Sequence, residues 1–213
     1  MELSMKRIIT SVLLSLILLP LIVLAAPSEI VIIRHADKWT KKPGPFLSPK
    51  GQVRAERFTE YYLKNFNAPD FIFASRPGDL NHASESLSMR PVQTIAPLAN
   101  QLAYEGKYVE INADYLQKRY PILAEHLLHS KKFQNKMILI CWHHGRINNL
   151  TQALGVKQLL AKWPMPVYDM VYVLKYNTAG QLISFQILKD QYPVKEDPTW
   201  QELANPTIPS QVH

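Results

Sequence analysis

The sequence predicts an α/β fold, a three-layer sandwich with a mainly parallel central sheet flanked by helices. Three observations predict it. Short apolar runs of strand length recur along the chain, and they are continuous rather than alternating, the mark of strands covered on both faces. The segments between them carry apolar residues at helical spacing, and strands alternating with helices imply a parallel sheet with right-handed crossovers. The chain has 213 residues, 47% of them hydrophobic, enough for one domain with its own core.

The strands are expected at Ile30–Ile33, Phe71–Ala74, Tyr108–Ile111, Met137–Cys141, Met170–Leu174 and Leu182–Leu188. In "LSPKGQVRAERFTEYYLKNF", Ser48 is placed to cap a helix and Pro49 to open it. Ala55, Phe58, Tyr62 and Phe66 then share one face. In "MRPVQTIAPLANQLA", Pro91, Ile95, Leu98 and Leu102 do the same. A third helix is expected over Tyr120–His129. A fourth follows His144 and stops near Gly155, a suitable residue for the position after a helix end.

Residues 1–26 read as a signal peptide. Lys6 and Arg7 precede an apolar stretch from Ile8 to Leu24, and the small residues Ala25 and Ala26 follow. The stretch is also about long enough to anchor the chain in a membrane. Pro20 and the alanine exit favour cleavage, and Pro27 leaves the cleavage bond open. The expected products are a catalytic domain over 27–189 and an extended, Pro-rich tail over 190–213. A periplasmic or secreted location follows, without stable membrane association after cleavage. The single cysteine, Cys141, excludes an internal disulfide and reads as a small buried hydrophobe. Asn149-Leu150-Thr151 matches a glycosylation sequon but falls inside the fourth helix, so it is read as chance.

The formal net charge of +7 is compatible with anionic partners of several kinds. The positive charges are scattered, the longest basic runs being pairs such as Lys41-Lys42 and Lys131-Lys132. No basic stripe is interleaved with aromatics, which argues against nucleic acid. The charge itself does not choose among the other anionic partners, anionic lipid and small phosphorylated molecules among them.

In parallel α/β sheets, ligands bind beyond the carboxyl ends of the strands. Arg34 and His35 end the first strand, Ser75 and Arg76 the second, and His143 and His144 the fourth. Residues far apart in sequence therefore meet on one rim. Two histidines with arginines suit phosphoryl transfer. A neutral imidazole can attack phosphorus and carry the group, while fixed cations stabilise the charge spread over the equatorial oxygens. One cation at about 4 Å contributes roughly 4 kcal/mol at an effective dielectric near 20. Adjacent residues on a strand point to opposite faces, so His143 and His144 do not suit one metal ion, and no further His, Cys or Asp cluster completes a site. The expectation is therefore no metal and no cofactor.

Four stretches, in order, resemble the histidine phosphatase superfamily, the phosphoglycerate mutase-like proteins. "RHADK" resembles its Arg-His-Gly signature, with Ala36 in the glycine slot. "LSPKGQVRAERF" resembles the opening helix that follows. "FASRP" and "SMRPVQTIAPLA" resemble the middle motif, an arginine followed by a helical Thr, here Arg90 and Thr94. "ICWHHGRINNLTQALG" resembles the last motif, a strand ending in the second histidine.

The resemblance implies a phosphomonoesterase that works through phosphohistidine, with His35 as nucleophile and Arg34 and Arg90 holding the phosphoryl oxygens. The His-Gly pair favours His144 as the second catalytic histidine, with His143 beside the phosphate. Counting back from Ile147 and Leu150 fits His143 equally well. The family also supplies a carboxylate that protonates the leaving oxygen. Asp37 is the preferred candidate and Asp114 the alternative. A sugar-phosphate mutase and a catalytically weak phosphate-binding protein are the competing readings. The segment Pro77–Leu87 reads equally as a lid or as a surface loop.

Overall fold

The first strand organises the molecule. β1 (Glu29–Arg34) alternates its buried side chains between two cores. Ile30 and Ile32 face one, with Leu123 and Leu127 of α3 (Tyr120–His129) and Ile147 and Leu150 of α4 (His144–Ala153). Val31 and Ile33 face the other, with Phe58 and Tyr62 of α1 (Pro49–Asn65) and Ile95 and Leu98 of α2 (Arg90–Tyr104). All eight side chains in those two groups of helix residues are fully buried. Each such side chain contributes roughly 1.5–3 kcal/mol on leaving water. This sheet between two helix layers is the three-layer sandwich expected. The structure, a computed structural model, describes residues 26–39, 44–78, 86–158 and 160–197. The expected signal segment lies outside them except for Ala26, as do most of the segment Pro77–Leu87 and the end of the tail. Among the described residues no helix is long and apolar enough to cross a membrane.

The sheet has six strands in the order β3-β2-β4-β1-β5-β6. β2 (Phe71–Ala74), β3 (Ile111–Asn112) and β4 (Met137–Trp142) join β1 in one parallel block. β5 (Val171–Tyr176) and β6 (Leu182–Leu188) run antiparallel, closing one side of the sheet as a hairpin. The turn between them is built on Asn177, whose backbone amide donates to the Gln181 carbonyl at 3.0 Å.

The helix signals act as expected. Ser48 caps α1, its hydroxyl accepting from the Gly51 amide at 3.1 Å. Gly155 adopts φ 104° after α4, in the left-handed region that glycine favours. Two elements differ. β3 forms at Ile111–Asn112 rather than Tyr108–Ile111, because Tyr108 stays exposed and only Ile111 and Asn112 pair with β2. The stretch after β6 is not wholly superficial. Tyr192 is buried, with its ring 5.2 Å from Phe58 and 5.5 Å from Tyr61.

Candidate active site

Register brings the two histidine stretches together. β1 and β4 are parallel neighbours, with Arg34 opposite Trp142. The ladder continues for one more bond, from the His35 amide to the Trp142 carbonyl at 3.1 Å. His35 and His143 therefore leave the sheet side by side, with ring centroids 5.1 Å apart.

His35 is buried, and its Nδ1 lies 2.8 Å from the carbonyl oxygen of Ala36. A carbonyl only accepts, so Nδ1 carries the proton and Nε2 keeps the lone pair. Ala36 is held on its amide side too. Its amide donates to the Thr94 hydroxyl at 2.8 Å, and that hydroxyl donates to the Arg90 carbonyl at 2.7 Å. Thr94 thus joins the nucleophile stretch to the first turn of α2. Alanine fits the glycine slot because its methyl packs with Leu47 and Ala55.

Arg34 is almost fully buried. Its Nη1 donates to the Met165 carbonyl and, at 2.9 Å, to that of Val167. Arg90 opens α2 and donates through Nη1 to the Gly44 carbonyl. The Nε atoms of both arginines are buried without a partner, as are His143 Nε2 and His144 Nδ1. Buried nitrogens left unpaired are costly, so four of them around one strand rim mark a place suited to an external acceptor.

The imidazoles are held neutral. Burial, and then His143, push the His35 pKa well below its usual value. His143 falls to about 3, from burial and then Arg90, His144 and Arg34. His144 falls to about 4, from burial and then Arg34 and Lys38. Mutual influence among these groups is a further sign that they share one site.

The site residues named from sequence fall into three groups. Arg34, His35, Arg90 and His143 converge. His144, taken from sequence as the second catalytic histidine, is half-buried on the first turn of α4, and it is His143 that meets the His35 ring. The two carboxylates have other partners. Asp37 is bound by Arg54, with Nε to Oδ2 at 2.5 Å and Nη2 to Oδ1 at 3.4 Å, and Lys50 lies 4.0 Å away. Both oxygens of the preferred acid are thereby engaged. Asp114 is exposed after β3 and accepts from the Asn112 amide side chain. The charged groups acting on His35 and His143 are histidines and arginines.

Sequence reasoning missed Arg54, which holds Asp37 and also reaches Asp169 at 3.5 Å and the Tyr192 carbonyl at 3.1 Å. Tyr168 reads from sequence as core or pocket wall, and its ring lies 3.8 Å from the Arg34 guanidinium carbon and 6.3 Å from the His35 ring. The two ends of the segment Pro77–Leu87 are joined by a 2.7 Å bond from the Gly78 amide to the Ser86 carbonyl. Residues 79–85 lie outside the description. Among the described residues, no three His, Cys, Asp or Glu side chains cluster as a metal site.

No family model matches the chain, and no curated protein matches it. Solved structures do. The alpha-ribazole phosphatase of Shigella flexneri matches at 12% identity and a TM-score of 0.50, over 79% of this chain and 100% of that one. A mycobacterial glucosyl-3-phosphoglycerate phosphatase, solved with inorganic phosphate, matches at 15% identity and a TM-score of 0.46, over 77% and 97%. The protein histidine phosphatase SixA, solved with tungstate, matches at 13% identity and a TM-score of 0.45, over 76% and 96%. The match to the alpha-ribazole phosphatase shows the phosphoglycerate mutase-like fold for this chain.

Proposed function

We propose that the chain is an exported histidine phosphatase that hydrolyses phosphomonoesters without a metal ion. One observation carries the reading. The His35 Nδ1 proton is committed to the Ala36 carbonyl, which leaves Nε2 as a nucleophile near two arginines, 34 and 90, whose Nε atoms are buried and unpaired. Export rests on the amino-terminal pattern of Lys6-Arg7, apolar stretch and alanine exit.

In the first step His35 Nε2 forms a bond to phosphorus as the ester P–O bond breaks. Arg34 and Arg90 offset the charge on the transferring oxygens. In the second step water adds to phosphorus, the P–N bond breaks, phosphate leaves and neutral His35 returns. His143, in ring contact with His35, is the better second histidine in this scheme, donating from its own ring to a phosphoryl oxygen. With Asp37 engaged by Arg54, the leaving oxygen takes its proton from water.

The test is turnover of p-nitrophenyl phosphate, with and without a chelator, together with trapping of an acid-labile, base-stable phosphoenzyme. Hydrolysis that the chelator abolishes and added zinc restores sinks the metal-free mechanism. A general acid contributes about 10²–10⁴-fold, so kcat/KM for aryl phosphates is expected to exceed that for simple alkyl phosphates by about 10²-fold or more. A series of esters graded by leaving-group pKa measures this, and a flat series refutes the missing acid. The engagement of Asp37 also favours a second reading, a phosphate-binding protein of the same fold. Phosphate affinity without turnover of any ester in the series supports that one.

Thr94→Val keeps the shape but leaves the Ala36 amide buried and unpaired, which costs roughly 1–3 kcal/mol. It also frees the peptide that orients His35, and kcat/KM is expected to fall about 10-fold or more. Thr94→Ser, which retains the hydroxyl, restores most of it. Melting curves and steady-state kinetics on the two variants check both effects.

A further inference from the structure

The segment Trp163–Asp169, "WPMPVYD", has no part in the mechanism above, yet four of its residues converge on the two buried arginines 34 and 54. The Trp163 indole N–H donates to the Val167 carbonyl at 2.9 Å. That same carbonyl accepts Arg34 Nη1 at 2.9 Å, and the Met165 carbonyl accepts it as well. The Tyr168 ring then lies against the guanidinium face, 3.8 Å from its central carbon and 5.8 Å from that of Arg54. Asp169 ends the segment against Arg54, with 3.5 Å between Oδ2 and Nη1.

Two carbonyls on one nitrogen and an aromatic ring on one face leave a guanidinium little freedom. With Nη1 engaged twice, the edge that remains is the one formed by Nε and Nη2, and Nε is buried without a partner. That edge is the side-on fork that binds two oxygens of a phosphate in parallel. We propose that Tyr168 is a positioning residue, which with the Met165 and Val167 carbonyls fixes Arg34 so that its Nε–Nη2 edge faces a phosphoryl group. The inference deepens the reading of the site as an oxyanion site and rests on it. It assigns the ring, not the hydroxyl, as the working part of Tyr168.

The experiment measures affinity for inorganic phosphate by calorimetry, and steady-state hydrolysis of p-nitrophenyl phosphate, on Tyr168→Phe, Tyr168→Leu and Trp163→Phe. Tyr168→Phe retains the ring and is expected to stay within about threefold of the parent in both measurements. Tyr168→Leu is expected to weaken phosphate binding about tenfold and to lower kcat/KM at least as much. Trp163→Phe, which keeps an aromatic ring but loses the N–H that pins the Val167 carbonyl, shifts phosphate affinity in the same direction by less. A merely structural role would lower the melting temperature and leave phosphate affinity alone. Unchanged affinity in both Tyr168→Leu and Trp163→Phe overturns the proposal. So does a Tyr168→Phe protein as impaired as Tyr168→Leu, because the hydroxyl would then be the working part. A parent protein that binds phosphate but hydrolyses nothing defeats the phosphatase reading and still tests Tyr168 through affinity. A parent protein that binds no phosphate overturns the proposal together with the site reading.

Discussion

His35→Ala yields a folded protein that neither hydrolyses p-nitrophenyl phosphate nor accumulates a phosphoenzyme, with kcat lower by about 10⁴-fold or more. The nucleophile is the one group in the scheme that forms a covalent bond, and neither arginine can replace it. The same variant has a second signature. Burial, and then His143, hold the His35 pKa well below that of an unfolded imidazole, so the unfolded chain binds the extra proton as pH falls below about 6.5. A depressed histidine therefore contributes stability that is complete above the unfolded pKa and is lost progressively on acidification. The loss approaches about 1.4 kcal/mol per pH unit for each such buried imidazole. His143, lowered to about 3, acts in the same direction. His35→Ala should consequently lose less stability between pH 6.5 and 4 than the parent. Melting temperatures across that range decide it, and parallel curves for the two proteins would show that His35 titrates normally in the fold.

Gly51→Ala carries the next largest effect, and it acts through the backbone. A methyl at residue 51 would lie 2.3 Å from the Asp37 carbonyl oxygen and 3.1 Å from both the Asp37 carbonyl carbon and its amide nitrogen. Those atoms cannot swing aside as a flexible side chain would. The Asp37 carbonyl also accepts the Ser48 amide at 3.0 Å and the Ser48 hydroxyl at 3.2 Å, so the helix cap and the nucleophile stretch are packed against each other at this point. Overpacking of this kind costs typically 1–3 kcal/mol, and the upper end is expected where backbone must move. Displacement of Asp37 passes to His35 two residues away, and an ångström there is worth about 10²-fold in rate. Gly145 is the control. It neighbours His144, yet a methyl there meets nothing within 4 Å. Gly145→Ala should leave kcat/KM within about twofold and raise stability by up to about 1 kcal/mol, the usual gain from removing a helical glycine. Denaturant melts and kinetics on both variants test the contrast. Equal damage from the two would refute the packing argument.

The pattern of success in reading the sequence follows the range of the interactions. Ser48 and Pro49 announce α1 because capping is settled within three or four residues. The buried runs of β1, β2 and β4 are legible because burial on two faces demands continuous apolar residues. The gathering of Arg34, His35 and His143 follows from those strands, since a parallel sheet places its strand ends on one rim, whereas Arg90, at the start of α2, is named through the resemblance. What the residues alone left open depends on distant partners. Asp37 meets Arg54 across 17 positions, and Arg34 meets Val167 across 133, so neither pairing leaves a local trace. The choice between His143 and His144 turns on one residue of register where a strand hands over to a helix. The antiparallel course of β5 has the same origin, because an apolar run does not encode the direction in which it pairs.

Arg54 has one consequence for how the polypeptide is divided. A single guanidinium clasps Asp37 beside the nucleophile, Asp169 beside the aromatic clamp, and the carbonyl of Tyr192 beyond the last strand. The stretch from Lys189 to Tyr192 is therefore a strap, and its buckle is the guanidinium that also holds Asp37. A cut placed after β6 would uncover Phe58 and Tyr61 and strip a buried cation of an acceptor. For anyone trimming or fusing this polypeptide, the safe junction falls downstream of Tyr192.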